Sequence, residues 1–339
     1  MTSRISIYSP QGNKLTELEA DFYREWKISE YGTGKFDISV LDDKFSSNFI
    51  DFGNWVHVEH DKLAPWVGTI ECPRDWNGGM VTVNCLSGEA RLKRALTRKD
   101  TKYHGTPGFV FSKFIQDACS EIIGLKVGHA YSAGKHITVL DNYAQVYNLV
   151  CRIAEKRNEE WDVTPSLDGN GSLWFEANWY KQMGTVRSTR LYEDKHVAAG
   201  VKLVEQGETY NRVIVKGAKG SWAQGGIGVY TDWAAVRDYG LYEFLLSDNT
   251  AKEEDDHIDY ARNYVNEHKE PRRTFTLGLV DADDLFKELR LGDTFTLETY
   301  QTGFTGDRLG CVADIRILQM NFKDSEGVVN VVADEVTNE

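Results

Sequence analysis

The sequence lacks a surplus of basic residues: 39 Lys and Arg stand against 52 Asp and Glu, a formal charge of -13. Phosphate binding needs a Lys/Arg surface, so a chain of this balance is not built to wrap nucleic acid. Nucleic acid could still slide past a surface that repels it. The five cysteines, Cys72, Cys85, Cys119, Cys151 and Cys311, are odd in number and form no Cys-x-x-Cys pair. Cys85, Cys119 and Cys151 sit among apolar residues of predicted strands or helices, which reads as buried free thiols in a protein assembled in reducing cytoplasm. The N-terminus, Met-Thr-Ser-Arg-Ile-Ser, has no basic-then-apolar signal. No apolar run approaches the roughly 20 residues of a spanning helix. There is no low-complexity tract, no short-period repeat, no Gly-x-Ser-x-Gly elbow and no His-Glu-x-x-His.

What is present belongs to a folded protein: 339 residues, 41% hydrophobic and 12% aromatic, enough for two or three domains with full cores. Residues 1–98 read as β. Arg4–Tyr8, Leu15–Leu18, Phe36–Val40, Trp55–Glu59, Trp66–Ile70 and Met80–Cys85 alternate in polarity between Gly-, Pro- and Asn-bearing turns. Short strands so punctuated predict an antiparallel barrel or sandwich, closed by a short helix over Gly88–Leu96.

Residues 99–200 change character. Thr106-Pro107 is a helix start, followed by an apolar stripe of Val110, Phe111, Phe114, Ile115, Ala118 and Ile122 that ends at Gly124. A second helix opens after Asp141 and carries Val146, Leu149, Val150, Ile153 and Ala154 at helical spacing. Strands at Trp161–Val163 and Leu173–Phe175 flank the turn Asp168-Gly-Asn-Gly171, giving a small α+β unit. Residues 201–339 return to β, with strands at Tyr210–Val215, Phe275–Leu279, Thr294–Glu298, Val312–Leu318 and Val328–Val332, and one helix at about 250–268. The fold class expected is therefore α+β, mainly β, with two barrel-like units, an inserted α+β domain and an attached helix.

Several constellations resemble chemistry. In a strand, His57 and Glu59 share a face while His60 points away. A zinc deaminase would add Pro-Cys-x-x-Cys, which Glu71-Cys72-Pro73 does not supply, so solvated strand polar groups are expected. The stretch Gly217–Gly228 is Gly-rich but runs into Val-Tyr-Thr, not into a helix whose amides could cradle phosphate; a β–β connection is expected. Asp281-Ala-Asp-Asp284 opens like a calcium loop, yet Phe286 and Gly292 stand where glycine and a bidentate Glu belong. Glu159-Glu160-Trp161-Asp162 offers adjacent carboxylates beside an aromatic, as glycosidases use, but adjacency does not oppose them across a cleft. The acidic run Glu253-Glu254-Asp255-Asp256-His257 has a local explanation. Thr250 and Glu253 fit a capping box, the acids match a helix dipole, and Ile258, Ala261, Tyr264, Val265 and His268 share one face before Pro271 stops the helix. No catalytic, cofactor-binding or metal residues are assigned, and no cofactor.

The order of these elements resembles the tail hub proteins of tailed bacteriophages, the tail-tip or baseplate-hub (tail-associated) proteins of siphophages. The resemblance rests on Ile5-Ser-Ile-Tyr-Ser-Pro-Gln-Gly12, a strand with basic Arg24, Gly53-x-Trp-Val-His-Val58, and Trp66-Val-Gly-Thr-Ile70. In the middle it includes the helix from Pro107, Ile153-Ala-Glu155 and Glu160-Trp-Asp-Val163. The C-terminal match is the most specific: Asn211-Arg-Val-Ile-Val-Lys-Gly217, Asp238-Tyr-Gly240, a helix, Pro271 and its strand, and Leu291-Gly-Asp293 before another strand.

The resemblance implies a structural virion protein, not an enzyme, that forms a homotrimeric ring of two barrel-like domains per chain. The domains are expected at residues 1–98 and 201–339, with the insert at 99–200. Such a ring adapts a sixfold tail tube to threefold tip structures. The partners implied are a distal tail protein, the tape-measure C-terminus, and a fibre, spike or receptor-binding protein. DNA would pass through the lumen without specific binding, and assembly would occur in the host cytoplasm. Members with a peptidoglycan-cleaving or carbohydrate-binding domain carry it beyond the position of Glu339, so no wall-degrading activity is expected. The competing classes are a cell-wall glycan or peptide hydrolase, and a carbohydrate-binding module that uses some of the nine Trp.

Overall fold

A computed structural model describes residues 3–41, 46–97, 102–118, 124–139, 143–206, 209–217, 227–248, 254–305 and 308–336. The first seven strands are β1 (Ser3–Tyr8), β2 (Lys14–Ala20), β3 (Phe22–Lys27), β4 (Thr33–Ser39), β5 (Trp55–Glu59), β6 (Trp66–Asn77) and β7 (Met80–Ser87). The insert holds β8 (Tyr103–Gly105), α1 (Pro107–Lys113), β9 (Leu125–Ala130), β10 (Ile137–Val139), α2 (Val146–Arg157), β11 (Glu160–Leu167) and β12 (Leu173–Tyr180). Then come β13 (Val186–Tyr192), α3 (Glu193–His196), β14 (Val197–Gln206), β15 (Arg212–Gly217), β16 (Ile227–Thr231), α4 (Trp233–Tyr239), β17 (Glu243–Asp248) and α5 (Glu254–His268). The chain finishes with β18 (Arg272–Leu279), α6 (Leu285–Glu288), β19 (Thr294–Glu298), the two-residue β20 (Phe304–Thr305) and β21 (Arg308–Leu309), β22 (Val312–Lys323) and β23 (Val328–Glu335).

The protein is mainly β, in several sheets. The largest has 13 strands in the order β14-β18-β23-β22-β3-β4-β7-β6-β5-β1-β2, with β19 on β22 and β13 on β19. It runs from β14 to β2 without closing, so it is an open sheet among the described residues. Strand β22 is its hinge. Val312–Arg316 pair with β19, whereas Gln319–Lys323 pair with β3, and the register shifts between Ile317 and Gln319. A bulge of this kind bends a strand and raises its twist, so one strand serves two sets of neighbours. Each set has its own core. Ile5, Phe22, Phe36, Val56, Trp66 and Val83 pack in the N-terminal one, and Phe275, Leu277, Phe295, Ile315 and Val331 in the C-terminal one. Alternation explains both: β4 reads exposed-buried along Thr33–Ser39, as a strand with one covered face should.

The insert packs α1 and α2 on the three-stranded sheet β11-β12-β9 around Phe111, Phe114, Trp161, Phe175 and Trp179. Thr106 caps α1, accepting from the Phe109 amide, with Pro107 at the first helical position. The helical path then continues as a π turn over Phe114–Ala118; Ile122 and Cys119 lie outside the described residues. A third sheet, β16-β15-β17, is covered on one face by α5 through Val213, Val215, Ala261 and Val265. Of the acidic run, Thr250 and Glu253 lie outside the described residues, and α5 begins at Glu254. The described cysteines Cys85, Cys151 and Cys311 are free.

The two ends of the chain are tied by one buried polar cluster. The Asp324 carboxylate, in the β22–β23 turn, accepts from the Ser3 amide (3.2 Å), the Ser3 hydroxyl (2.8 Å) and the Phe22 amide (3.1 Å). Arg24 Nη1 lies 3.6 Å from Asp324 and donates to Ser3 Oγ at 2.6 Å. Both side chains are buried, and the guanidinium lies over the rings of Phe322 and Trp26. Burial pulls the Arg24 pKa down to about 10, against the attraction of Asp324, so the group stays charged at neutral pH.

Removing one partner of such a pair strands a buried charge, which costs about 3–5 kcal/mol. Asp324→Ala should destabilise the protein by that amount in denaturant unfolding, and Arg24→Met with Asp324→Ala should recover part of the loss. Equal stability of Asp324→Ala and wild type would show that the cluster does not hold the ends together.

Candidate functional site

Some of the residues that looked chemical in the sequence, Glu160 among them, take part in joints between chain segments. The principal joint lies where the insert returns to the large sheet. Gly184 and Gly292 stand there back to back, both in the left-handed region (φ +81° and +83°). A Cβ on Gly184 would lie 2.0 Å from the Gly292 carbonyl carbon, and one on Gly292 would lie 2.7 Å from the Met183 carbonyl oxygen. Only glycine admits both the backbone conformation and the approach. That approach brings the Asp293 carboxylate, itself buried, to the Thr185 amide (2.8 Å) and to Arg187 Nε (2.7 Å). On the other side, Arg316 of β22 donates to Glu160 (2.7 Å), the Met183 carbonyl (3.0 Å) and the Gly292 carbonyl (3.1 Å). The motif Leu291-Gly292-Asp293 is therefore a clamp on the strand leaving the insert.

Beside this clamp is a cavity of about 210 Å³ where the N-terminal strands, the insert and the C-terminal strands meet, with Trp26, Trp66, Met183, Leu291 and Met320 in its walls. Glu89 and Asp162 also line it. Glu89 accepts from the Val163 amide at 3.0 Å and from the Ser87 hydroxyl, joining the first unit to β11. Burial pushes its carboxyl up to about 7 although both hydrogen bonds favour the charged form, and Asp162 adds to the rise. Burial likewise lifts Asp162 to about 6, opposed by hydrogen bonds from Asn178 and Tyr180. Two desolvated carboxylates at a seam can act as acid–base groups in an enzyme. Here the contacts of Glu89 are to its own chain.

The other constellations are placed as follows. His57 is buried, not solvated: it shares a face of β5 with Trp55, which packs in the core of the insert, and burial lowers its pKa. His60 Nδ1 accepts from the Lys62 and Leu63 amides (3.2 and 3.3 Å) and its ring meets Phe322 edge-on. Glu159 accepts from Trp179 Nε1 at 2.6 Å, whereas Glu160 accepts from the Met183 amide at 2.6 Å, so the adjacent carboxylates serve different neighbours. Asp281 and Asp284 receive Lys62, and Asp283 receives Lys195. Lysines stand where a calcium ion would need open oxygens. Residues 218–226 of the Gly-rich stretch lie outside the described residues; its ends join the antiparallel neighbours β15 and β16.

Asp256 of the acidic run pairs with Arg157 of α2 at 3.1 Å, and His257 is buried within 4.0 Å of Asp248, which binds Lys156 at 2.6 Å. Burial lowers the His257 pKa, helped by Lys156 and opposed by Asp248. No group of three or more His, Cys, Asp or Glu suited to a metal ion occurs among the described residues. No helix among them is long and apolar enough to cross a membrane.

The roles of Glu89, Asp248 and Arg316 were not read from the sequence. Arg316 carried a faint signal, a cation inside the alternating run Val312–Leu318. Asp248, at the end of an unremarked strand, carried none.

No protein-family model matches this sequence, and no curated protein matches it. Among solved structures, the chain is similar to the 43 kDa tail protein of prophage MuSo2 from Shewanella oneidensis, at 11% identity and a TM-score of 0.62, with 98% of each chain covered. It is similar to prophage tail protein gp18 from Listeria monocytogenes EGD-e, at 10% identity and a TM-score of 0.61, covering 99% of this chain and 95% of that one. A tail protein from Neisseria meningitidis MC58 gives 12% identity and a TM-score of 0.59, covering 99% and 97%. The likeness is one of fold, and it extends from end to end.

The Glu89 seam generates a pH dependence. An acid whose folded pKa (about 7) exceeds its ordinary 4.5 is bound to its proton more tightly in the native state. Its contribution is complete below pH 4.5 and is lost as pH rises through 7. The difference corresponds to about 3 kcal/mol at most. Denaturant titrations should show wild-type stability falling between pH 5 and pH 8, and Glu89→Gln should flatten that fall. Parallel pH profiles for the two proteins would contradict the assignment.

Proposed function

We propose that the chain is a structural hub protein of a bacteriophage tail tip. In this reading it forms a homotrimeric ring that joins the tail tube and distal tail protein to a fibre, spike or receptor-binding assembly. The tape-measure C-terminus would end within it, and DNA would leave through it. In this reading residues 1–98 and 201–339 are the two hub domains and residues 99–200 the insert; because the large sheet is open among the described residues, the expected barrels are instead two strand sets of one sheet, and β13 and the start of β14 already belong to it. The observation that supports this reading is the fold shared over the whole chain with tail proteins.

Two features of the chain agree with it. Strand β22 fuses two strand sets with separate cores side by side, so three chains would present six such units around one axis. A closed ring of this kind uses heterologous contacts between different edges of neighbouring copies. The chain also leaves large apolar side chains exposed on projecting elements, among them Trp233 at the start of α4 and the cross-strand pair Phe304 and Leu309. An assembly would cover such groups. The reading assigns the protein no catalytic residue, cofactor or metal.

Size-exclusion chromatography with light scattering, alone and with a distal tail protein, should give a mass of three chains and a larger joint complex. A persistent monomer that hydrolyses cell walls would overturn the proposal in favour of a wall enzyme. A second outcome concerns charge. With a formal -13 per chain, part of the negative surplus should line the lumen and repel passing DNA, lowering friction instead of binding it. Electron cryomicroscopy of the assembled ring would show this; a neutral or basic lumen would refute it.

A further inference from the structure

We infer that the described residues between 209 and 271 (209–217, 227–248 and 254–271) form an arm that is latched onto the insert by ion pairs and swings about a two-strand neck when the latch is released. The arm is an excursion between β14 and β18, which are antiparallel partners up to Gln206 and Arg272. Its base is closed by the Tyr210 amide, which donates to the His268 carbonyl at 2.8 Å. Next to the neck, Tyr210, Phe244, Tyr264 and His268 stack in sequence, with ring centroids 4.5, 5.3 and 4.1 Å apart. That stack pins α5 to β15 and β17, so the arm moves as one body.

The arm has its own apolar cluster, centred on Val213, Val215, Ala261 and Val265, and shares no member with the cluster of the insert. What joins the two is polar. Lys156 of α2 reaches Asp248 at 2.6 Å, Arg157 reaches Asp256 at 3.1 Å, and Lys135 lies 3.0 Å from Asp259 and 3.7 Å from Asp256. Tyr260 donates to Glu155 and Asn263 donates to the Lys156 carbonyl, each at 3.0 Å. Interfaces between units that lack a large hydrophobic contact permit relative motion. Two of these pairs are largely buried, so they are strong when made and leave costly bare charges when one partner is removed. Such a contact has a closed state and an open one with little between.

The arm also contributes Glu267 to a groove of about 450 Å³ on the insert, where it faces Glu155, Glu159 and Tyr147. Opening would take this wall away and expose the outer face of α2. The inference stands on the arm's own contacts and does not depend on the tail reading.

The test uses the full chain with spin labels, borne on a ketone amino acid, at the exposed positions Leu167 and Arg262. Pulsed electron resonance should give one narrow distance in the wild type at low salt. In Lys156→Gln, Arg157→Gln, Asp248→Asn, Asp256→Asn, which leaves neither pair with a bare charge, a longer distance should appear, its fraction raised at least about tenfold. Slow amide exchange retained at Val213–Val215 would certify that the arm is still folded. An unchanged narrow distance in that folded variant would overturn the inference. If the variant does not fold, Lys135→Gln with Asp259→Asn, which removes a more exposed pair, is read in 1 M salt. Broadening there supports the latch, and a single narrow distance refutes it.

Discussion

The Asp324 carboxylate holds together what the backbone separates most. It lies over three hundred residues from Ser3 and takes two hydrogen bonds from that residue, one from the Phe22 amide, and the charge of Arg24. The buried faces of β3 and β22 already oppose a one-residue slip, which would turn Phe22, Met320 and Phe322 to the other face; the Asp324 cluster adds a polar constraint to that register. With it, Phe322 must stand opposite Arg24, and the guanidinium falls over the Phe322 ring. A hydrophobic core rewards any close packing; a buried ion pair tolerates one. Here the pair sets where the N-terminal strands join the C-terminal ones.

That placement governs the architecture around β22. Because Gln319–Lys323 are committed to β3, the earlier half of the strand must find β19, and the bulge between Ile317 and Gln319 takes up the change of partner. Arg316 sits on the β19 side of the bulge and turns to Glu160 and the carbonyls of Met183 and Gly292. The insert is thus fixed from the same strand that fixes the N-terminus. These two joints flank the bend of β22, Arg316 within the strand before it and Asp324 in the turn that follows the strand.

Much of the local structure was legible in the sequence, since it depends on local physics. Thr106-Pro107 starts a helix because a hydroxyl cap and a residue without an amide hydrogen suit that position wherever it lies. Strand β19 keeps the bounds its alternation implies, Thr294–Glu298. Strands such as β13, β14, β16 and β17 went unread for a physical reason. Their burial patterns leave many residues exposed or half-exposed, so no apolar period marks them. The seams were illegible for a different reason. Glu89 looks like an ordinary helical acid until Val163 and Asp162 arrive from elsewhere to desolvate it. His57 reads as a solvated strand residue until the insert covers the face it shares with Trp55. A pattern along the chain reports periodicity, not what the opposite surface brings.

The same contrast applies to the charged pairs, most of whose members no pattern along the chain marks. Lys62 with Asp281 and Asp284, Lys156 with Asp248, Arg187 with Asp293, and Arg316 with Glu160 each connect segments far apart in the chain. The acidic run at the start of α5 belongs to the same pattern. Its first-turn position suits the helix dipole, and the dipole alone would leave those acids facing water. The arrival of Arg157 gives Asp256 a second role, as the point where one unit grips another. Charge in this protein selects which surfaces meet.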